Sequence, residues 1–134
     1  MFLSLLSREE KQHFVDLLVK VVSVDGEASD MELQIINRLK HEMGEDVLKY
    51  RKSSLDREKL IDYFAEKSKP IKNLIFLNIV IASLHDEFYS VEEHLLIEQI
   101  QEKLGITNKK KTELMKIVYA ERDLREKAKR VIAE

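Results

Sequence analysis

The stretch of sequence that decides the fold is SVDGEASDMELQIINRLKHEMG, residues 23–44. It contains a turn at Asp25-Gly26 and then a run of apolar residues spaced three and four apart. Ser29 and Glu32 have the spacing of a capping box, in which a serine and a glutamate three residues later satisfy the first free amides of a helix. The stretch therefore predicts the end of one helix, an acidic loop and the start of a second, amphipathic helix.

The same unit occurs again 61 residues downstream, as LHDEFYSVEEHLLIEQIQEKLG in residues 84–105. The identical pairs are Asp25 and Asp86, Ser29 and Ser90, Glu32 and Glu93, Ile36 and Ile97, and Gly44 and Gly105. Helix capping accounts for the serines, the glutamates and the glycines, but it does not require an aspartate four residues before each serine. The sequence therefore predicts an internal pseudo-two-fold repeat, about residues 24–44 and 85–105, with the two aspartates as its most informative residues.

The chain as a whole is typical of an all-α protein. Three glycines and one proline in 134 residues are too few for the turns of a β-sandwich or barrel, and apolar residues recur with helical spacing. We expect a compact bundle of about six or seven helices in a single domain, residues 1–134.

Individual helix boundaries follow from capping and breaking residues. The sequence predicts a first helix after the Ser7 and Glu10 capping box, a third over 55–67 capped by Ser54 or Asp56, a fourth from Pro70 to Leu84, and a fifth from the Ser90 and Glu93 capping box to Gly105. Residues from Asn108 onward favour one long helix or two, and no breaker decides between them.

Composition and charge exclude several classes of function. The formal net charge is −2 and cysteine is absent, so no global field attracts a polyanion and thiolate metal sites are excluded. The basic residues between 109 and 130 are interleaved with acidic ones, which is typical of a solvated helix face rather than a nucleic-acid site. We expect a cytoplasmic protein without a membrane span, with a protein partner of unknown identity; the oligomeric state stays open.

The acidic loops are the candidate site. If the two loops are neighbours, Asp25, Glu32, Asp86 and Glu93 would bring four carboxylates together, and a bound cation relieves such repulsion. Oxygen ligands favour Ca²⁺ or Mg²⁺, while His85 and His94 beside the second pair would shift the preference towards Zn²⁺ or Mn²⁺. The loop is not an EF-hand, because its glycine follows the first aspartate directly. The same residues also fit a simpler interpretation as helix caps and solvated acids.

The string SVDGEASDME in residues 23–32, with its weaker second copy, resembles the signature of the TerB-like family of tellurite-resistance proteins. The resemblance extends over roughly residues 7–120. It implies an all-α, pseudo-symmetric fold and a divalent-metal site formed by Asp25 and Glu32 together with Asp86 and Glu93. It also implies a role in tellurite or other stress responses and membrane-linked complexes, and similar domains accompany J-domains in some co-chaperones.

Three functions are therefore weighed. The first is a non-enzymatic, TerB-like stress-response domain that binds a divalent cation through its two acidic motifs. The second is a metal-free interaction or scaffold module in which the same acids are caps and surface charges. The third, a hydrolase that uses the carboxylates, has the least support, because no nucleophile elbow or phosphate-binding loop is present.

Overall fold

The computed structural model describes residues 1–26, 28–48, 55–84 and 90–134. Within these ranges a short 3-10 helix, Leu3–Leu5, precedes seven α-helices, and no strand is present. The helices are α1 (Arg8–Val22), α2 (Asp30–Met43), α3 (Glu45–Leu48), α4 (Arg57–Ala65), α5 (Lys69–Leu84), α6 (Val91–Lys103) and α7 (Asn108–Ala133). The all-α class is confirmed. In the described part of the chain, no helix is both long and apolar enough to cross a membrane.

One connected core joins all seven helices. The amphipathic helices bury the faces predicted from their spacing: Phe14, Leu17, Leu18, Val21 and Val22 on α1, Ile35, Ile36, Leu39 and Met43 on α2, and Leu60, Ile61 and Phe64 on α4. Helix α5 differs, because every residue from Ile75 to Ser83 is buried. A helix that is buried on all sides forms the centre of a bundle, as the apolar run in the sequence indicates.

Helix packing matches the predicted two-fold repeat in part. Helices α1 and α5 pack against each other, and α2 and α6 each contact both of them. Helix α3 packs on α1 as α7 packs on α5. Exchanging the first unit for the second leaves these contacts unchanged. The match is incomplete, because α3 also packs on α2 without a comparable contact between α7 and α6 among the described residues, and α4, which contacts α1, α5 and α6, has no counterpart.

Helix starts agree closely with the sequence. The Ser7–Glu10 and Ser29–Glu32 capping boxes are complete. At α6, Ser90 Oγ accepts from the Glu93 amide at 3.1 Å, which confirms the serine half of the predicted capping box. The other half of this box, from the Ser90 amide to the Glu93 carboxylate, stays a prediction.

Helix ends show a further difference between the copies. After α6, Gly105 has φ 67°, and the Ile106 amide donates to the Gln101 carbonyl at 3.0 Å, a Schellman motif. After α2, Gly44 combines φ 76° with ψ −151°, which is not the left-handed helical conformation of the usual glycine stop. Glycine remains the residue that adopts such a backbone readily. The chain then leaves in a direction that allows α3 to begin at once.

Two helices differ from expectation, and one open alternative is settled. The one-turn helix α3 was not predicted; Lys11 Nζ contacts Asp46 Oδ2 at 2.8 Å and holds it against α1. Helix α4 is shorter than 55–67 and is capped by Asp56, whose Oδ1 accepts from the Lys59 amide at 2.9 Å; Ser54 lies outside the described residues. Helix α7 is one continuous helix, which settles the alternative left open for the C-terminal region.

Candidate functional site

The first acidic loop is a tight turn between two well-formed helices. Helix α1 ends at Val22, and the Gly26 amide donates to the Ser23 carbonyl at 3.1 Å. Gly26 has φ 131°, a conformation that side chains disfavour, which explains a glycine at this turn. Asp25 lies within the turn and is exposed. Its carboxylate is therefore available at the surface, as a ligand position requires.

Glu32 has a different environment from Asp25. Its side chain is only 3% exposed, although it belongs to the first turn of α2. Its Oε1 atom accepts from the Ser29 amide at 3.0 Å, and its own amide donates to Ser29 Oγ at 3.1 Å. Its Oε2 atom is buried and has no hydrogen-bond donor among the described residues. Helix capping therefore explains the position of Oε1, but it does not explain the burial of Oε2.

The second motif is described only in its helical part. Glu93 is 1% exposed, so both repeat glutamates are buried at equivalent positions of α2 and α6. Asp86 and His85 lie outside the described residues, and the prediction that Asp86 joins the site therefore stays a prediction. His94 is exposed, and its Nε2 atom lies 2.9 Å from Glu98 Oε1, one turn further along the outer face of α6. The structure thus gives His94 an exposed carboxylate partner on its own helix.

The predicted ligands do not form a complete cation site on their own. The described residues contain no group of three or more acidic or histidine side chains close enough to hold a metal ion. Asp25, Glu32 and Glu93 are therefore not a three-carboxylate cluster by themselves. A site at these loops would need Asp86, together with backbone carbonyls and water, to complete a shell of six or more oxygens.

Asp16 is a buried carboxylate that the sequence analysis did not single out. It lies in the middle of α1 and is 3% exposed. The signal was present in the sequence, because Asp16 stands between Val15 and Leu17 inside the most apolar part of that helix. An acidic residue within a buried stripe is uncommon and usually has a specific partner.

A separate polar cluster ties α4 to α1. The rings of His13 and Tyr63 stack with centroids 4.2 Å apart, and Lys67 Nζ lies 4.4 Å from the Tyr63 centroid. Burial raises the pKa of the Tyr63 phenol above its usual value. The pKa of Lys67 is also raised, first by its hydrogen bond to Tyr63 and further by Glu10, whose Oε2 lies 3.5 Å from Nζ. Glu10 already has a structural role as a cap of α1, and the other contacts hold α4 against α1. Helix packing is therefore sufficient to explain why these residues lie together.

Comparison with known proteins gives no significant match to a protein-family model, a curated protein or a solved structure.

Proposed function

We propose that the chain is a non-enzymatic, TerB-like domain that binds a divalent cation through Asp25, Glu32, Asp86 and Glu93. The observation that carries the proposal is the buried Oε2 atom of Glu32, which has no donor among the described residues. A charged oxygen removed from water without a partner destabilises the fold by roughly 1–3 kcal/mol or more. A cation bound at this atom would remove that penalty.

The arrangement also limits how Glu32 would bind. Because Oε1 already accepts from the Ser29 amide at 3.0 Å, Glu32 has one oxygen left and would be a monodentate ligand. Asp25, exposed at the preceding turn, would supply a second oxygen from the same loop. The remaining oxygens would come from the second motif, from carbonyls and from water, which suits Ca²⁺ or Mg²⁺ better than the nitrogen-rich shells of Zn²⁺.

The packing of the repeat supports a shared site. Helices α2 and α6 both rest on the central pair α1 and α5, so the two motifs belong to one rigid core. A cation held by both loops would tie the two halves together and fix the surface that they present. From the resemblance we place this domain in a cytoplasmic, stress-related assembly with a protein partner.

One observation supports a second candidate function. The complete capping box at Ser29 and Glu32 is sufficient to explain a glutamate at this position without any metal. On that interpretation the domain is a metal-free interaction module. The two proposals differ in whether stability depends on a cation.

Thermal unfolding of chelated protein, with Ca²⁺, Mg²⁺, Mn²⁺ or Zn²⁺ added back, distinguishes them. A cation at about 100 times its Kd stabilises the native state by about 2.7 kcal/mol, which raises Tm by roughly 5–15 °C for a chain of this size. Asp25→Asn combined with Asp86→Asn should abolish the increase, because it removes the charge of two proposed ligands. Both serine caps stay intact in this variant, so the loss would not reflect damage to the helix starts. Glu32→Gln should abolish it as well, since the amide keeps the Oε1 acceptor but removes the charge.

Glu10→Gln is the matched control. Glu10 occupies the same position in the Ser7 capping box, with Oε1 2.8 Å from the Ser7 amide, but it is outside both acidic motifs. This variant should keep the full cation-dependent increase in Tm. Absence of any increase at about 10 mM of each ion, or an equal increase in the Glu32→Gln and wild-type proteins, would contradict cation binding and favour the metal-free module.

A further inference from the structure

The C-terminal half of α7 extends beyond the core. Leu114 and Val118 are the buried residues of this helix, and no residue from Tyr119 to Glu134 is buried. This half nevertheless continues as regular helix to Ala133. An isolated helix of this length is only marginally stable in water. The C-terminal half of α7 would therefore gain stability if another molecule packed against it.

A groove separates this half of α7 from α2. Its volume is about 400 Å³, and it lies between Met31 and Arg38 on α2 and between Arg122 and Lys129 on α7. Ile35, which is buried, and Met31, which is 49% exposed, give it an apolar floor on the α2 side. At a rise of 1.5 Å per residue, each wall is about 10 Å long, enough to contact about two turns of a helix.

The walls of the groove carry an excess of positive charge. Four basic side chains, Arg38, Arg122, Arg125 and Lys129, line it together with one acidic side chain, Glu126. Lys129 pairs with Glu126 at 3.2 Å and Arg125 pairs with Glu121 at 2.6 Å, whereas Arg122 Nε has only a longer contact of 3.9 Å with Asp123 Oδ1. Arg38 has no carboxylate within ion-pair distance among the described residues. The groove is thus positively charged, whereas the whole chain has a net charge of −2.

We propose that this groove binds an acidic, amphipathic helical segment of a partner protein. Its apolar residues would contact Met31 and Ile35, and its carboxylates would pair with Arg38 on one wall and Arg122 on the other. This is the helix-in-groove mode of recognition, with methionine as an adaptable contact. Electrostatic complementarity of this kind selects the partner and accelerates its association.

The observations favour a protein segment over other anions. Nucleic acid binding needs a longer basic surface and usually aromatic stacking, whereas none of the groove residues is aromatic and acidic residues such as Asp30 and Asp123 adjoin it. A second copy of α7 would bring nine basic and only four acidic side chains, so it would repel the groove rather than offer it an acidic face. Membrane surfaces would not enter a groove with two walls. The site is independent of the acidic loops, and so is its test.

The experiment uses the full chain and a labelled peptide of about 16 residues, long enough to form helix on binding. The peptide has leucines on one face and glutamates on the other, and its binding is followed by fluorescence anisotropy at low and high salt. A scrambled peptide that is no longer amphipathic and a peptide with lysine in place of glutamate are the control probes. We expect saturable binding of the acidic amphipathic peptide alone, weakened by salt.

Matched charge reversals locate the site. Arg122→Glu with Lys129→Glu changes two groove residues and should weaken binding about tenfold or more, because attraction becomes repulsion. Lys116→Glu with Lys127→Glu makes the same charge change on the same helix, at exposed residues that do not line the groove. This control should change binding by about twofold or less. Circular dichroism checks that both variants stay helical.

Four results would overturn the proposal. The first is no saturation by the acidic peptide at about 1 mM, and the second is an equal loss in the two double variants. The third is binding of poly(U) RNA or phosphatidylserine vesicles without binding of the peptide. The fourth is concentration-dependent dimerisation that buries the groove, detected by sedimentation and abolished by Arg122→Glu with Lys129→Glu. Chelators should leave peptide binding unchanged, so failure of the cation proposal does not affect this test.

Discussion

Helix α5 and the C-terminal half of α7 are equally regular helices that are stabilised by different interactions. From Ile75 to Ser83 every residue of α5 is buried, whereas from Tyr119 onward no residue of α7 is buried. Large apolar side chains such as Leu124, which is 66% exposed, remain in contact with solvent. Tertiary burial stabilises α5, and local interactions stabilise the end of α7.

These local interactions are visible in the structure. Glu121 and Arg125 form an i, i+4 ion pair, and Glu126 and Lys129 form an i, i+3 pair. Each such pair stabilises a helix by about 0.2–0.5 kcal/mol, and alanine, lysine, arginine and glutamate have high helix propensity. Burial of one large side chain contributes several times more. The comparison therefore predicts very different responses to substitution.

The largest effect is expected at the centre of α5. Phe76 is fully buried, so Phe76→Ala should lower the free energy of unfolding by about 3–5 kcal/mol through lost burial and an unfilled cavity. Urea denaturation followed by circular dichroism measures this change. Phe76→Leu, which keeps most of the volume, should lower it by less than about 1.5 kcal/mol. A loss below about 1 kcal/mol for Phe76→Ala would mean that α5 is not the centre of the core.

A matched pair of leucines on α7 sharpens the comparison. Leu114 is 8% exposed and Leu124 is 66% exposed, although both belong to the same helix. Leu114→Ala should lower the free energy of unfolding by about 2–3 kcal/mol, and Leu124→Ala should change it by about 0.5 kcal/mol or less. Similar losses for the two variants, measured in parallel urea titrations, would show that the distal half of α7 packs on the bundle in solution.

The smallest effect on global stability is expected for Ala128→Gly. Glycine weakens a helix by about 1 kcal/mol relative to alanine, but the distal half of α7 should open without unfolding the core. Hydrogen exchange should therefore accelerate at amides near residue 128, while α5 amides exchange as slowly as in the unsubstituted chain. A matching acceleration in α5 would show that the two segments unfold together. It would contradict the view that burial stabilises α5 while local interactions stabilise the end of α7.

Much of the fold was predictable because its signals are local. The capping boxes at Ser7 and Ser29 were predicted from residues three positions apart, and both are complete in the structure. Helix α3 was missed for the opposite reason. One turn of helix has no periodicity to detect, and it is held by the contact from Lys11 to Asp46, 35 residues away in the sequence.

The candidate site was predictable only in part. The repeat pointed to Glu32 and Glu93, but their burial depends on how the bundle packs, and so does the lack of a donor to Glu32 Oε2 within the described part of the chain. The arginines of α7 looked like a solvated face because their acidic neighbours are close in sequence. Arg38, which lies across the groove from Arg122, belongs to a helix far earlier in the chain.

The sequence by itself determined the helical class, the two-copy repeat and most helix starts, since hydrophobic periodicity and capping act within a few residues. Tertiary structure alone decided that Glu32 is buried with one oxygen that has no hydrogen-bond partner among the described residues, and that Arg38 and Arg122 line the same groove. The physical reason is that burial and charge proximity are set by segments distant in the chain, whose separation in space no local pattern encodes.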